Sequence, residues 1–335
     1  MASERILVTG ATGFLGSHVV VKALESGYSV RGTVRSPSKA QEVLTSWSSY
    51  GNRFDTAVVP DLVNGDYSEA LKGISAVIHV ASPFVRSVDD PKKDLLDPAR
   101  QGTVKVLEAC LKHGVRRVIV TGSIAAVLDP TKGGLWRDYT YTAEDWNPLT
   151  YEQAVSGALP GMAVYAVSKK IAEEAAFEFG REHPEMRITV MSPTMIYGPL
   201  VLPADLSALN TSSQDIYNLI NGKLEKTASP AYADVRDVAT LHVKALKVDS
   251  VIGKRVLVNG GTYTFYEAVN ILREKRPNLA HRLPSLDVVE EVRDAPAKVD
   301  VSIAETELGI KWMSFEQCLL DTIDEFITME TAQKI

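Results

Sequence analysis

Ile6-Leu7-Val8-Thr9-Gly10-Ala11-Thr12-Gly13-Phe14-Leu15-Gly16 joins an apolar, strand-like run to a segment, 14–26, whose apolar residues recur at helical spacing. Its glycines follow the pattern GxxGxxG. One glycine can take a tight turn without a Cβ clash, a second lets the backbone approach a pyrophosphate, and a third lets helix and strand pack closely. The helix start adds unpaired N–H donors and a partial positive charge. Three glycines alone often make an ordinary turn; position between the first strand and first helix of a βαβ unit gives these their meaning. Gly10, Gly13 and Gly16, with Thr12, Phe14 and Leu15 on the same turn, are therefore expected around a bound phosphate group.

Outward from this turn the same rhythm continues. Residues 5–8, 29–34, 56–59, 76–80, 117–121 and 187–191 read as strands, whereas 14–26, 37–50, 94–113 and 164–181 read as helices. Strand 76–80, Ala-Val-Ile-His-Val, is apolar nearly throughout, as it must be when helices cover both faces of a parallel sheet. The expected fold is α/β, a Rossmann-type doubly wound parallel sheet with a smaller, discontinuous α/β substrate lobe. After Met191 the rhythm breaks at Ser192-Pro193, Gly198-Pro199 and Leu202-Pro203, before a helix at 214–221. It returns with a helix at 234–246, opened by an acidic cap, and a strand at 255–258, and a last helix is expected at 315–327. The division expected is 1–192 with 229–260 for the nucleotide-binding domain, and 193–228 with 261–335 for the substrate lobe.

The chain has 335 residues, more than one core of roughly 250–300 residues comfortably holds, which agrees with a domain plus a lobe. Its 36 Lys+Arg against 42 Asp+Glu give a net charge of −6 with no basic block, against a nucleic-acid or anionic-membrane surface. Cys110 and Cys318 lie far apart without CxxC or His partners, so neither a disulfide nor a zinc site is expected, and a reducing compartment is. The first strand starts too early for a signal peptide, and no stretch approaches the ~20 apolar residues of a membrane span. With no targeting signal legible at the C-terminus, a cytoplasmic protein, monomeric or homodimeric, is expected.

The charge beside the turn selects the cofactor. An NAD site needs an Asp or Glu about 20 residues on, at the end of the second strand, for the ribose 2′-OH. Residues 30–39, Val-Arg-Gly-Thr-Val-Arg-Ser-Pro-Ser-Lys, hold no acid. Arg35 stands there instead, with Lys39 one helical turn later, and a guanidinium fork fits a 2′-phosphate bidentately. NADPH/NADP+ is expected over NADH.

Downstream, Tyr165-Ala166-Val167-Ser168-Lys169 opens a helical run. Spacing of four places phenol and ammonium on one helix face, about 5–6 Å apart at Cβ. A nearby cation favours phenolate and so eases proton exchange. Tyr-x-x-x-Lys is frequent by chance and weak by itself. Strand 117–121 ends in Thr121-Gly122-Ser123, which puts a hydroxyl at the edge of the sheet where ligands of open α/β folds bind. Ser123 can donate a hydrogen bond to a carbonyl oxygen as charge develops there, or simply cap a turn.

In this order, the glycine turn, Ser123, Tyr165 and Lys169 resemble the extended short-chain dehydrogenase/reductase superfamily, whose catalytic set is a Ser or Thr, a Tyr and a Lys. Residues 30–40, 58–61, 79–84, 121–127, 146–148 and 234–239 look like the fungal NADPH-dependent aldehyde, carbonyl and methylglyoxal reductases, relatives of plant dihydroflavonol reductases. The likeness spans nearly the whole chain and is weakest after about residue 265. It departs at Gly122, where many relatives carry a second Ser. The resemblance implies that Asp61 and Leu62 contact adenine, that Ala81, Ser82 and Pro83 line the middle of the cofactor, and that Pro193 and Thr194 border the nicotinamide. Asp61 also reads as a turn residue, His79 as a satisfied core histidine, and Asp234 and Asp237 as helix-capping partners of Arg236.

The function expected is reduction of an aldehyde or ketone to the alcohol by an NADPH-dependent oxidoreductase of the alcohol dehydrogenase type, with Tyr165 as proton donor. Phe84, Val85, Leu128, Met195 and Tyr197 are candidates for an apolar substrate pocket, each also readable as ordinary packing. No arginine cluster stands out for an anionic substrate, which favours a small neutral carbonyl compound. The alternatives are a nucleotide-sugar epimerase or dehydratase, against which the missing acid counts, and a non-catalytic NADP-binding regulator, against which Tyr165 and Lys169 count.

Overall fold

A computed structural model describes residues 4–82, 89–286 and 295–333. The chain begins β1 (Arg5–Thr9), α1 (Phe14–Glu25), β2 (Ser29–Val34), α2 (Pro37–Ser46), β3 (Phe54–Val58), β4 (Ala76–His79), α3 (Asp97–Lys112) and β5 (Arg117–Thr121). It continues through β6 (Thr140–Tyr141), α4 (Tyr151–Val155), α5 (Gly161–Glu182), β7 (Arg187–Pro193), β8 (Met195–Tyr197) and α6 (Thr211–Leu219). After these come β9 (Ala231–Asp234), α7 (Val235–Ala245), β10 (Arg255–Val258), β11 (Gly261–Thr262), α8 (Phe265–Lys275), β12 (Lys298–Val299), α9 (Ser302–Thr306) and α10 (Phe315–Gln333).

Seven parallel strands form the central sheet in the order β10-β7-β5-β4-β1-β2-β3. From β1 the chain steps outward to β3, returns to β4 on the other side of β1, and steps outward again to β10. The order therefore reverses between β1 and β4, and the C-terminal ends of those strands part to leave the crevice in which doubly wound folds bind ligands. Ile6, Leu7 and Val8 of β1 are fully buried. Ile6 and Val8 pack into the layer of α1 and α7, whereas Leu7 packs into the opposite layer of α3 and α5. Burial of each such side chain stabilises the fold by about 1.5–3 kcal/mol, which makes β1 a rigid base for the turn that follows it.

Element ends depart from the sequence pattern where tertiary packing intervenes. Helix α2 stops at Ser46, because Trp47 turns inward and packs edge-on against Phe54, ring centroids 4.8 Å apart. A 3₁₀ stretch, Ser48–Arg53, follows, with Gly51 at φ +58°. That side-chain contact also starts β3 two residues earlier than the β-branched run indicates. A π-helical turn, Lys92–Leu96, leads into α3, and Pro160 caps α5 so that it starts at Gly161. Asp234 caps α7, accepting the Arg236 amide at 2.8 Å, and Asp237 accepts the Met313 amide at 2.8 Å.

A second core gathers Ile216 and Leu219 of α6, Phe265 and Leu272 of α8, and Leu319 and Phe326 of α10 around the small sheet β11-β9-β8. Tyr232, near the start of the 229–260 stretch expected in the nucleotide domain, belongs to this second core. Conversely, Ala304 and Leu308 of the tail pack into the first core beside α1 and α7. The tail thus serves both cores, which alternation of strands and helices could not reveal. Among the described residues no helix is long and apolar enough to cross a membrane.

Candidate active site

The turn between β1 and α1 is held by its own backbone. Gly10 takes φ +69°, and the Gly13 amide donates to the Gly10 carbonyl at 3.0 Å. A Cβ at Gly16 would lie 2.0 Å from that carbonyl oxygen, so α1 can approach β1 only with glycine there. The Thr9 hydroxyl accepts the amides of Val80 and Ala81, each at 3.1 Å, and so donates its hydrogen to His79 Nδ1 at 2.8 Å. This fastens the end of β1 to the end of β4 and leaves His79 neutral, with its proton on Nε2. Burial, reinforced by the charge of Lys169, pushes the His79 imidazole down to about 4, so it is a satisfied core residue.

Beside this turn opens a cleft of about 500 Å³. Gly10, Thr12, Gly13, Phe14, Leu15, Gly16, Arg35, Lys39, Leu62, Ala81 and Ser82 all line it. The donors, the glycine cradle and the cations on its rim fit a dinucleotide carrying a 2′-phosphate. Arg35 is exposed where β2 ends, and the Lys39 ammonium, on the first turn of α2, pairs with Glu42 at 2.6 Å. Asp61 is not among the lining residues; its carboxylate accepts the amides of Val63 and Asn64 at 2.8 and 2.7 Å. The amides of Asn64 and Val63 hold its carboxyl below the ordinary range. Its carboxylate thus ties the turn that follows β3, and Leu62, the other residue of the expected pair, lines the cleft. Thr33, Val34, Val59, Pro60 and Val80 also line it, none of them singled out by the sequence. Thr33 accepts the Gly10 amide at 3.2 Å, a role a β-branched strand residue does not announce.

At the other end of the cleft stands the first half of α5. Lys169 Nζ lies 5.7 Å from the centre of the Tyr165 ring and donates to Ser82 Oγ at 2.9 Å. The helix that carries the phenol is thereby tied to a residue of the cleft wall. Ser123 follows β5 on a short 3₁₀ turn, Ile124–Ala126, that lies against α5. Its Oγ accepts the Ala125 amide at 3.2 Å, which leaves the hydroxyl hydrogen to donate. Ser123 lies more than 40 residues before Tyr165 in the chain, and the packing of its turn against α5 sets it beside the helix that carries Tyr165 and Lys169. Pro193 closes β7, and Thr194 is buried with its amide on the Val258 carbonyl at 2.9 Å.

The structure also brings in a residue the sequence reading passed over. Glu173 continues the four-residue spacing of Tyr165 and Lys169 along α5 and is 1% exposed. Its Oε1 accepts the Ser123 amide at 2.8 Å and the Ser192 hydroxyl at 3.0 Å, and its Oε2 accepts Arg255 Nε at 2.8 Å. Burial pushes this carboxyl up, opposed by the Arg255 guanidinium and by the Ser123 and Ser192 donors. The repeat of four, 165-169-173, was the available signal; inside Ala172-Glu173-Glu174-Ala175 it looks like surface charge.

Of the pocket candidates, Phe84 and Val85 lie outside the described residues, as does Pro83. Leu128 is half-buried against the cluster of Ile124, Val127 and Tyr141, and Met195 against the second core. Tyr197 is a correction. It is 2% exposed within that core, its hydroxyl 2.6 Å from that of Tyr263, and two phenols that satisfy each other are packing residues.

Residues 6–260 match the NAD dependent epimerase/dehydratase family. An uncharacterised oxidoreductase of Schizosaccharomyces pombe is 38% identical over 96% of this chain and 96% of its own length. The NADPH-dependent methylglyoxal reductase GRE2 of Saccharomyces cerevisiae is 32% identical, with 97% of this chain and 98% of that protein covered. The crystal structure of yeast methylglyoxal/isovaleraldehyde reductase Gre2 complexed with NADPH superposes with a TM-score of 0.88 at 31% identity, covering 98% of this chain and 99% of that one.

Proposed function

The chain belongs to the NAD dependent epimerase/dehydratase family, and from that premise we propose that it is an NADPH-dependent carbonyl reductase acting on small neutral aldehydes and ketones. The observation that carries the reading is the bond from Lys169 Nζ to Ser82 Oγ, because it joins the Tyr165 helix to the wall of the nucleotide cleft. Likeness to reductases over almost the whole chain supports it, and so does Arg35 at the position where an NAD site carries an acid.

Bound NADPH supplies hydride to the carbonyl carbon. Ser123 orients the substrate by donating its hydroxyl hydrogen to the carbonyl oxygen. Tyr165 gives that oxygen its proton, and the ammonium of Lys169 stabilises the phenolate left behind, through both its charge and its place on the same helix face. Arg35, seconded by Lys39, holds the 2′-phosphate. The second core provides the lobe that receives the substrate, with Met195 on its apolar margin, and Leu128 adds an apolar side chain from the separate cluster of Ile124, Val127 and Tyr141. The lack of a second arginine cluster in the sequence favours an uncharged substrate.

A screen of NADPH consumption over aldehydes, α-dicarbonyls, β-ketoesters and aryl ketones tests this. We expect oxidation of NADPH with a subset of them and much slower oxidation of NADH. Protein that purifies with tightly held NAD and leaves NADPH untouched across the panel would overturn the reading in favour of an epimerase or dehydratase.

A further inference from the structure

Glu173 lies under Ser123 and at the centre of a buried polar cluster drawn from five segments. Besides the three bonds already given, Arg255 donates through Nη1 to the carbonyls of Ala143 and Asp145, at 2.7 and 2.8 Å. Its guanidinium also stacks 3.7 Å above the Trp146 ring. Both members of the Glu173–Arg255 pair are nearly inaccessible, their side chains 1% and 2% exposed. The carboxylate faces three donors, and the one that belongs to neither a side chain nor a sheet ladder is the amide of Ser123. That bond fixes the plane of the peptide between residues 122 and 123, and with it the direction in which the Ser123 side chain leaves the backbone.

The neighbouring position supplies a second, independent observation. A Cβ on Gly122 would fall 2.1 Å from Glu173 Oε1, 2.7 Å from its Cδ and 2.8 Å from Ser192 Oγ. Gly122 needs no unusual φ, so what excludes a side chain is the carboxylate itself. The space beside the reactive serine is occupied by an acceptor that reaches it from α5, anchored from behind by β10.

We propose that Glu173 is a positioning residue for carbonyl reduction: held by Arg255, its carboxylate fixes the Ser123 peptide so that the Ser123 hydroxyl hydrogen points at the substrate carbonyl. Gly122 is the clearance this arrangement requires. The proposal rests on the reductase reading above and adds to it a residue that touches neither substrate nor cofactor. A glutamate that only stabilised the fold would act on every step alike. One that acts through Ser123 has its effect only while the Ser123 hydroxyl is present.

The test is a double-mutant cycle on the full-length protein, measuring kcat and KM for a carbonyl substrate accepted by the wild type, the Kd for NADPH, and the melting temperature. Glu173→Gln is expected to lower kcat about 10- to 100-fold, the scale on which misplaced reacting groups act, with the NADPH Kd essentially unchanged. In a Ser123→Ala background the same change is expected to lower the residual kcat by less than about twofold, the limit within which uncoupled sites add. Gly122→Ala keeps both charges and displaces the carboxylate together with the Ser192 hydroxyl bonded to it, so it should reproduce this pattern even where Glu173→Gln fails to fold. Wild-type kcat in either variant, or an equal fractional loss with and without the Ser123 hydroxyl, overturns the positioning role. An active wild type whose Ser123→Ala form is unimpaired overturns it too. If the wild-type enzyme oxidises NADPH with none of the carbonyl panel, the reductase reading falls first and this inference with it; those failures are separate in the data.

Discussion

Tyr165 and Lys169 stand one turn apart on α5, and what distinguishes them from a chance pair is where the ammonium goes. It reaches across to Ser82 on the wall of the cleft, so the helix that carries the phenol is tied to the nucleotide site. Tyr165→Phe keeps the ring and removes the proton: kcat should fall about 10²–10⁴-fold, the usual contribution of a general acid, with NADPH affinity retained. Near-normal turnover in that variant would remove Tyr165 from the chemistry. Arg35→Ala should weaken NADPH binding by roughly ten- to a hundredfold, the worth of a charge-assisted hydrogen bond, and leave NADH binding nearly untouched. An unchanged preference between the two cofactors would refute the assignment. Both positions were legible because spacing and sign suffice to find them. Glu173 and Thr33 were not, because a glutamate beside a glutamate and a threonine in a strand carry no mark until their partners are in place.

Among the elements, the two ends of α1 separate two ways in which glycine can be required. At Gly16 a Cβ meets the Gly10 carbonyl oxygen, whereas at Gly27 the surroundings are empty and only φ +89° is at issue. Gly16→Ala should therefore cost about 1–3 kcal/mol by overpacking and also distort the turn that holds the phosphate. Gly27→Ala should cost about 1–2 kcal/mol through its left-handed backbone alone, with NADPH binding intact. Melting curves with and without NADPH distinguish the two. Equal NADPH-induced stabilisation in both variants would mean that Gly16 does not shape the turn. Strands β1, β4 and β5 could be read from the sequence because they are buried on both faces. The ends of α2 and α5 could not, since Trp47 turning onto Phe54 and Pro160 capping the later helix are decisions of packing and backbone geometry.

For the molecule as a whole, two histidines in the main core set a dependence on pH. His79 in β4 and His242 in α7 are buried, and desolvation holds each down to about 4. His242 donates from Nδ1 to the Val238 carbonyl at 2.7 Å and accepts the Thr121 hydroxyl on Nε2 at 2.9 Å, the opposite tautomer to His79. Both are neutral when folded, whereas in the unfolded chain they take up protons near ~6.5, so between those values the unfolded state binds more protons. The stability they contribute is complete above about pH 6.5 and is lost as the pH falls towards 4, on the order of 3 kcal/mol for each. Urea unfolding at pH 7 and pH 5 should show the lower midpoint at pH 5, and His242→Gln should reduce the difference. A midpoint independent of pH over that range would contradict the burial of these rings.

The second core was the part least legible in advance. Its residues are scattered from Tyr197 to Phe326 and meet only across the small sheet β11-β9-β8, so no local period joins them. Tyr197 was misread for that reason: in the chain it stands after a strand, where pocket residues gather, but in the fold its hydroxyl faces Tyr263.

The distance in sequence between Glu173 and Arg255 has a consequence for how the protein is made. During synthesis the carboxylate emerges 82 residues before the guanidinium that neutralises it, an interval of roughly 4–16 s at about 5–20 residues per second. Until β10 is translated and added to the edge of the sheet, α5 cannot bury Glu173 as a charged group without a counter-ion. The serine side of the cleft therefore waits on β10, and so does part of the layer behind the glycine turn, to which Val256 and Val258 belong. A nascent chain halted before residue 255 would thus carry Ser123, Tyr165, Lys169 and Glu173 and still lack the support for the serine side of the cleft.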